Sequence, residues 1–414
     1  MSQGAPVATT PARAPWLRLG MLSVLGPGLL AGLSDDDPAG ITTYSVLGAE
    51  RGYALLWVLL VSTGALILFH DLGARLGVIT GQGLIGLVRQ RYGVRVAATA
   101  LLFLVVANVG TGAAEFAGVA AAAELVGADR LIAVPLAALV VTVLVLRGSF
   151  HRVEHVLMAL SAVFIAYVGA GLLAHPDWGA AARGTFVPTL PGGHAAAFLV
   201  AATVGTTLAP WGLSFIQSYA VDKHLTVRDL QFERVDVVVG ALLTGVIGFF
   251  VVVACAASLH AQGGRIHDAA DAARALEPVA GHFAGQLFAV GLLGAAMLAA
   301  AVLPLSTAYS ICDLFGAPAA LDHAFGEARL FYLSHVGVVV LAAGLVLLPG
   351  VPLVPLLVST QTLNAILLVP LLVLLHRLSG DAHVLGVHRR GTLARGAQVV
   401  VIVGVVLSIA LLLG

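Results

Sequence analysis

Apolar residues in this chain run in long blocks, and the polar positions collect in short stretches between them. A helix that crosses a bilayer core of about 30 Å needs roughly 20 mostly apolar residues. In hydrocarbon only elements that pair their own backbone groups are stable, so such blocks predict helices. Eleven spans are expected: Leu19–Glu50, Tyr53–Leu76, Val96–Val126, Leu131–Leu146, Val153–Ala174, Ala195–Val221, Val235–Leu259, Phe283–Cys312, Leu330–Leu348, Val351–His376 and Ala397–Leu413. The first and the sixth are interrupted by polar residues, proline and glycine. The fold class expected is an all-α integral membrane protein.

Composition excludes a soluble globular protein, because 59% of the 414 residues are hydrophobic and only 10% are charged, against about 25% charged in a soluble domain. The 21 basic and 21 acidic side chains cancel, which leaves no excess charge to hold nucleic acid. Cys255 and Cys312 lie in or at the end of apolar blocks without metal-finger spacing, and both read as small core residues. Residues 1–18 contain Arg13 and Arg18 but no short apolar core followed by a cleavage site. They are expected to form a cytoplasmic tail.

Basic residues are retained on the cytoplasmic side of a membrane, and the eleven spans sort them unevenly. Arg51, Arg130, Arg183, Arg265 and Arg274 fall on one side, and the other sixteen of the 21 fall on the opposite side, with the N-terminus. The chain is therefore expected to be multi-pass with its N-terminus in the cytoplasm. Compact loops and the lack of a transit pattern fit a bacterial inner membrane.

The interruptions carry the candidate chemistry. In the first block Ser34-Asp35-Asp36-Asp37-Pro38-Ala39-Gly40 sets three carboxylates amid apolar helix, where charge is costly and usually functional. Pro38 has no amide donor and Gly40 favours non-helical backbone, so carbonyls near Asp37 are released and must find a cation, water or another helix. In the sixth block Gly205-Thr206-Thr207-Leu208-Ala209-Pro210-Trp211-Gly212 repeats the logic without a charge. Five spans fit between Pro38 and Pro210, which suggests two five-helix halves related as inverted repeats around a midplane site. The expected organisation is a tail (1–18), a transport core (19–376, repeats at roughly 19–174 and 195–376) and a C-terminal piece (377–414) holding a cytoplasmic loop and an eleventh helix outside the repeat.

These residues resemble the Nramp family of divalent-metal transporters, which has a LeuT-like fold. Gly26-Pro27-Gly28 with Asp37-Pro38-Ala39-Gly40 is similar to the family's first-helix pattern, which ends in Asp-Pro-Gly-Asn. Gly205 to Pro210 is similar to the sixth-helix pattern ending in Met-Pro-His, and Ala114-Glu115-Phe116-Ala117-Gly118 to the third-helix Ala-Glu-Phe-Leu-Gly. Ser359-Thr360-Gln361 falls where the tenth-helix glutamine is expected. The resemblance implies a metal-binding Asp37, backbone ligands at Ser34 and Thr206, and a Gln361 that supplies an oxygen or holds a water. It also places Gly40 where the family has Asn and Ala209 where it has Met. Without the thioether, oxygen donors suited to Mg²⁺ and Mn²⁺ remain, and the smaller side chains leave room for a partly hydrated ion. That pattern, with Trp211 to Tyr219 and Val221-Asp222-Lys223, resembles the Nramp-related magnesium transporter branch. Gly112 and Trp211 stand where the family has its proton-coupling Asp and His, so the carrier is expected to run uncoupled on the membrane potential. The ion is cargo; no resident cofactor, nucleic acid or obligatory protein partner is expected.

Several residues have an ordinary reading beside the functional one. Asp37 could cap a half-helix. Asp35 and Asp36 could extend an acidic funnel or be capping and solvated groups. Glu115 serves transport or a buried hydrogen bond, with Asn108 on nearly the same face. Gln361 and Asn364 share a helix face, where interhelical hydrogen bonding competes with ion contact. Trp211 closes the site or fills space. His151-Arg152-Val153-Glu154-His155 spells a zinc-peptidase motif, but beside Arg152 it reads as a charged turn at a helix start, and the chain is not expected to be an enzyme. Two rivals share the fold. They are a proton-coupled Mn²⁺/Fe²⁺ importer and a Na⁺-coupled amino-acid carrier, whose substrate carboxylate Asp37 would repel.

Overall fold

The computed structural model describes residues 27–147, 162–190, 192–319, 321 and 323–413, which form helices and no strand. The His151–His155 motif, the N-terminal tail and the start of the fifth expected span lie outside them. The helices that position the site are α1 (Pro27–Asp35), α2 (Pro38–Arg51), α3 (Leu56–Thr80), α4 (Leu84–Tyr92), α5 (Val94–Leu125), α6 (Arg130–Leu146), α7 (Ala166–Leu173), α8 (Trp178–Phe186), α9 (His194–Thr207) and α10 (Pro210–Asp222). They are followed by α11 (Leu230–Ser258), α12 (Ala284–Phe315), α13 (Arg329–Val346), α14 (Leu353–Ser379) and α15 (Thr392–Leu413). Eight helical stretches among the described residues are long and apolar enough to cross a membrane, and two further apolar helices are shorter.

The two interruptions break their helices where the covalent chemistry requires it. In a continuous helix the carbonyl of Ser34 would accept from residue 38 and that of Thr206 from residue 210, and both of those residues are proline. The chain instead leaves α1 at Asp35 and restarts at Pro38, with Asp37 as an extended N-cap (φ −81°, ψ 169°). It leaves α9 at Thr207 and restarts at Pro210 behind Ala209 (φ −62°, ψ 135°). Proline at the first helical position costs nothing, because that amide has no partner within the helix.

Small residues let the broken helices seat deeply against their neighbours. A Cβ on Gly28 or Gly32 would run into the α11 backbone at Val237 and Gly240, and one on Gly205 would overlap the Gln361 carbonyl of α14. Close approach brings polar pairing with it. Gly28 N–H donates to Asp236 Oδ2 (2.7 Å), and Thr244 Oγ1 donates to the Gly32 carbonyl (2.5 Å). α5 closes over the first break, since a Cβ on Gly118 would collide with the Pro38 ring.

The structure departs from the expected pattern at the loops. The stretch after the second span was expected to be a basic loop; it holds α4, whose Leu84, Ile85, Leu87 and Val88 are buried while Arg89 and Arg91 stay exposed. α14 runs to Ser379 rather than stopping at His376, because its last turn is tied to α15. His376 Nδ1 and Ser379 Oγ both lie 2.9 Å from Gln398 Oε1. Cys255 and Cys312 are buried free thiols.

Candidate cation site at the paired helix breaks

The first break places three successive carboxylates in the protein interior, with Asp35, Asp36 and Asp37 exposing only 3, 2 and 4% of their surface. Asp37 does cap α2, since Gly40 N–H donates to its Oδ1 at 2.5 Å. One oxygen engaged in a cap leaves the rest of the carboxylate for another partner, because an ionised carboxylate has about four acceptor positions.

Gly40 marks where donors from both breaks converge. The position that a Cβ on Gly40 would occupy lies 2.8 Å from the Asp35 carbonyl, 3.1 Å from Asp37 Oδ1 and 3.2 Å from Thr206 Oγ1. Three oxygens of different chemistry lie together on the side-chain-free face of Gly40, and a side chain there would press on them. The oxygens nearest Gly40 include the carbonyl of Asp35, the residue at which α1 ends, and the hydroxyl of Thr206. The Ser34 and Thr206 carbonyls keep their freedom from helical pairing for the reason given above, and Ser34 Oγ is buried without a partner.

Unpaired buried oxygen is concentrated here. Asp35 Oδ2, both oxygens of Asp36, both of Glu115 and Thr206 Oγ1 have no hydrogen-bond partner among the described residues. Leaving such groups unsatisfied costs roughly 1–3 kcal/mol each, and more when they are charged. A cation with its retained waters is the partner that satisfies acceptors only. Glu115, fully buried on α5, faces the Asp37 carboxyl, so four acids surround the first break. Among the described residues no three His, Cys, Asp or Glu side chains gather as a closed metal cage. The candidate donors are one carboxylate with carbonyl and hydroxyl oxygens.

The remaining candidates separate into site and scaffold. Asn364 donates to Thr111 Oγ1 (2.8 Å) and to Gln361 Oε1 (2.9 Å), a network that ties α14 to α5. Gln361 Oε1 accepts this one bond and keeps a second acceptor position, while its Nε2 has no hydrogen-bond partner among the described residues. Trp211 packs its ring 6.1 Å from that of Phe215, and its carbonyl accepts from Ser306 Oγ at 2.9 Å. Ala209 is buried in an apolar cluster with Ala113, Ala117 and Trp211. Asn108 sits two turns before Glu115 and donates to Thr307 Oγ1 of α12 (2.8 Å). One residue escaped sequence reasoning. His70 of α3 is buried and brings its Nε2 to the Gly212 backbone beside Asp35; a histidine deep inside an apolar block was the available signal.

Comparisons with known proteins bear on the family and the fold. The family model described as natural resistance-associated macrophage protein-like (Nramp) matches residues 28–414. The divalent metal cation transporter MntH of Burkholderia ambifaria is 32% identical over 284 residues, which span 66% of this chain and 64% of that protein. MntH of Ralstonia nicotianae is 33% identical over 303 residues, or 70% of this chain and 68% of that protein. The fold matches a crystal structure of the Eremococcus coleocola manganese transporter with a TM-score of 0.72 at 19% identity, covering 98% of this chain and 96% of that one. It also matches the nucleobase-cation-symport-1 family transporter Mhp1 with a TM-score of 0.50 at 17% identity, covering 89% and 80%. The architecture is LeuT-like.

Proposed function

The chain belongs to the Nramp family, and from that membership we propose that it imports divalent cations, Mg²⁺ or Mn²⁺, by alternating access at the paired breaks. The observation that carries the reading is the gathering of the Asp35 carbonyl, Asp37 Oδ1 and Thr206 Oγ1 on the side-chain-free face of Gly40. Asp37 supplies the charge, the carbonyl and hydroxyl supply neutral oxygens, and the small residues Gly40 and Ala209 leave space for water. Mg²⁺ dehydrates reluctantly, and oxygen donors suit it and Mn²⁺ better than soft ions. Gln361 acts through water, Trp211 fills the space beside the second break, and Asp36 adds negative potential. Asn364 acts as scaffold. The bacterial inner membrane with a cytoplasmic N-terminus is the setting that the Lys and Arg distribution supports.

Transport runs without proton coupling in this reading. Gly112 and Trp211 hold no titratable group where the family resemblance implies Asp and His. The membrane potential alone favours inward movement of a divalent ion by about 4.6 kcal/mol per 100 mV. A specific observation favours the second reading, a proton-coupled Mn²⁺/Fe²⁺ importer: Glu115 lies against Asp37 and could take up its proton. Proteoliposomes loaded with a pH dye separate the two. The uncoupled reading expects Mg²⁺ and Mn²⁺ uptake without internal acidification and with weak Cd²⁺ competition, whereas acidification with tight Cd²⁺ competition supports the importer.

A further inference from the structure

Beside the Gly40 cage a second pair of donor groups borders Gly212. The position of a Cβ on Gly212, two residues past Pro210 on α10, lies 3.1 Å from His70 Nε2 and 3.9 Å from Asp35 Oδ1. Both side chains are buried, with 2% of His70 and 3% of Asp35 exposed. Asp35 Oδ2 has no hydrogen-bond partner among the described residues. A buried acid with an unpaired oxygen, set beside a buried imidazole, calls for a further partner. Glycine at 212 is what admits the ring, since a side chain there would press on Nε2.

The geometry points to a second cation subsite, made by the Asp35 carboxylate and His70 Nε2 on the side of the breaks from which α10 departs. The inference rests on the divalent-cation reading given above and deepens it. Asp35 joins the two positions, because its carbonyl faces the Gly40 cage while its carboxylate faces His70. An ion that leaves the cage along α10 keeps one residue in contact throughout. The chemistry of the two positions differs. The cage is all oxygen, which suits Mg²⁺ and Mn²⁺ alike, whereas an imidazole nitrogen suits transition-metal ions and adds little for Mg²⁺. His70 is thus a specificity-determining residue. It supplies to Mn²⁺ and later first-row ions the nitrogen donor that the breaks themselves lack, with retained water completing the coordination.

The test uses the purified full-length chain with Mn²⁺ alone as probe, in native form and as His70→Ala and His70→Gln. Electron spin-echo envelope modulation of bound Mn²⁺ detects a directly coordinated imidazole nitrogen. The native chain is expected to give that modulation and both variants to lose it, while Gly212→Ala, which crowds the ring, weakens it. In competition binding the preference for Mn²⁺ over Mg²⁺ is expected to fall about tenfold in His70→Ala. Native protein that binds Mn²⁺ without nitrogen modulation, or variants that keep both modulation and preference, would overturn the subsite and leave the cation reading standing. A native chain that binds no divalent ion would overturn both.

Discussion

The two helix breaks share a backbone device and differ in what they offer an ion. Each places proline four residues after a carbonyl and restarts the helix at that proline, so each frees backbone oxygen in the interior of a bilayer protein. The first break adds Asp35, Asp36 and Asp37, all buried, and is faced by Glu115 of α5. The second adds only the Thr206 hydroxyl, the Thr207 hydroxyl bonded 3.0 Å from Tyr44 Oη, and small apolar Ala209. Attraction therefore belongs to the first break and fit to the second. A carrier needs both, because charge alone would trap an ion and neutral oxygens alone would not repay its dehydration.

Replacing Asp37 strikes the attractive half, and Asp37→Ala is expected to reduce Mg²⁺ and Mn²⁺ uptake by roughly 100-fold or more, in line with the 3–5 kcal/mol that removing one partner of a buried charge pair costs. Initial uptake rates in proteoliposomes check this, and a variant above a tenth of native activity would break the division of roles. The second break is most sensitive to volume. Gly205→Ala must displace the Gln361 carbonyl, so a loss of about 1–3 kcal/mol of stability is expected, read as a lower thermal midpoint in detergent. Thr206→Val keeps the shape and removes one oxygen, which should weaken apparent affinity roughly tenfold, or about 1.4 kcal/mol. Thr207→Val, whose hydroxyl points to Tyr44, should change it far less. Equal effects of the two would show that the second break contributes packing alone. The smallest change is expected far from both breaks. The exposed Arg91–Asp381 pair is worth at most ~1 kcal/mol, and Arg91→Ala should leave uptake kinetics at native values.

The breaks were legible in the sequence because a proline acts on its own helix, whatever surrounds it. The LeuT-like architecture and the family were legible for a related reason: Asp37-Pro38, Ala114-Glu115-Phe116 and Gly205 to Pro210 keep their order and spacing along the chain. What the sequence left open is set by contacts between distant residues. Which oxygens approach Gly40 depends on where α1 stops, and a helix that ends at Asp35 brings that residue's carbonyl there. Glu115 and Asp37 meet only because Gly118 lets α5 rest on Pro38. His70 looked like one polar residue in an apolar block until α10 brought Gly212 against its ring. α4 stayed hidden because Arg89 and Arg91 outweigh its four buried apolar residues in any linear reading.

The central claim is that one carboxylate at the first break, assisted by neutral oxygens from both, holds a partly hydrated divalent ion during transport. Saturable Mg²⁺ uptake into proteoliposomes, measured for the native chain and for Asp37→Asn in matched vesicles, tests it most directly, because the substitution removes charge and keeps shape. The account predicts saturable uptake by the native chain and its loss in Asp37→Asn. Equal Mg²⁺ uptake by both, or saturable Cd²⁺ uptake with no Mg²⁺ uptake by the native chain, would contradict it.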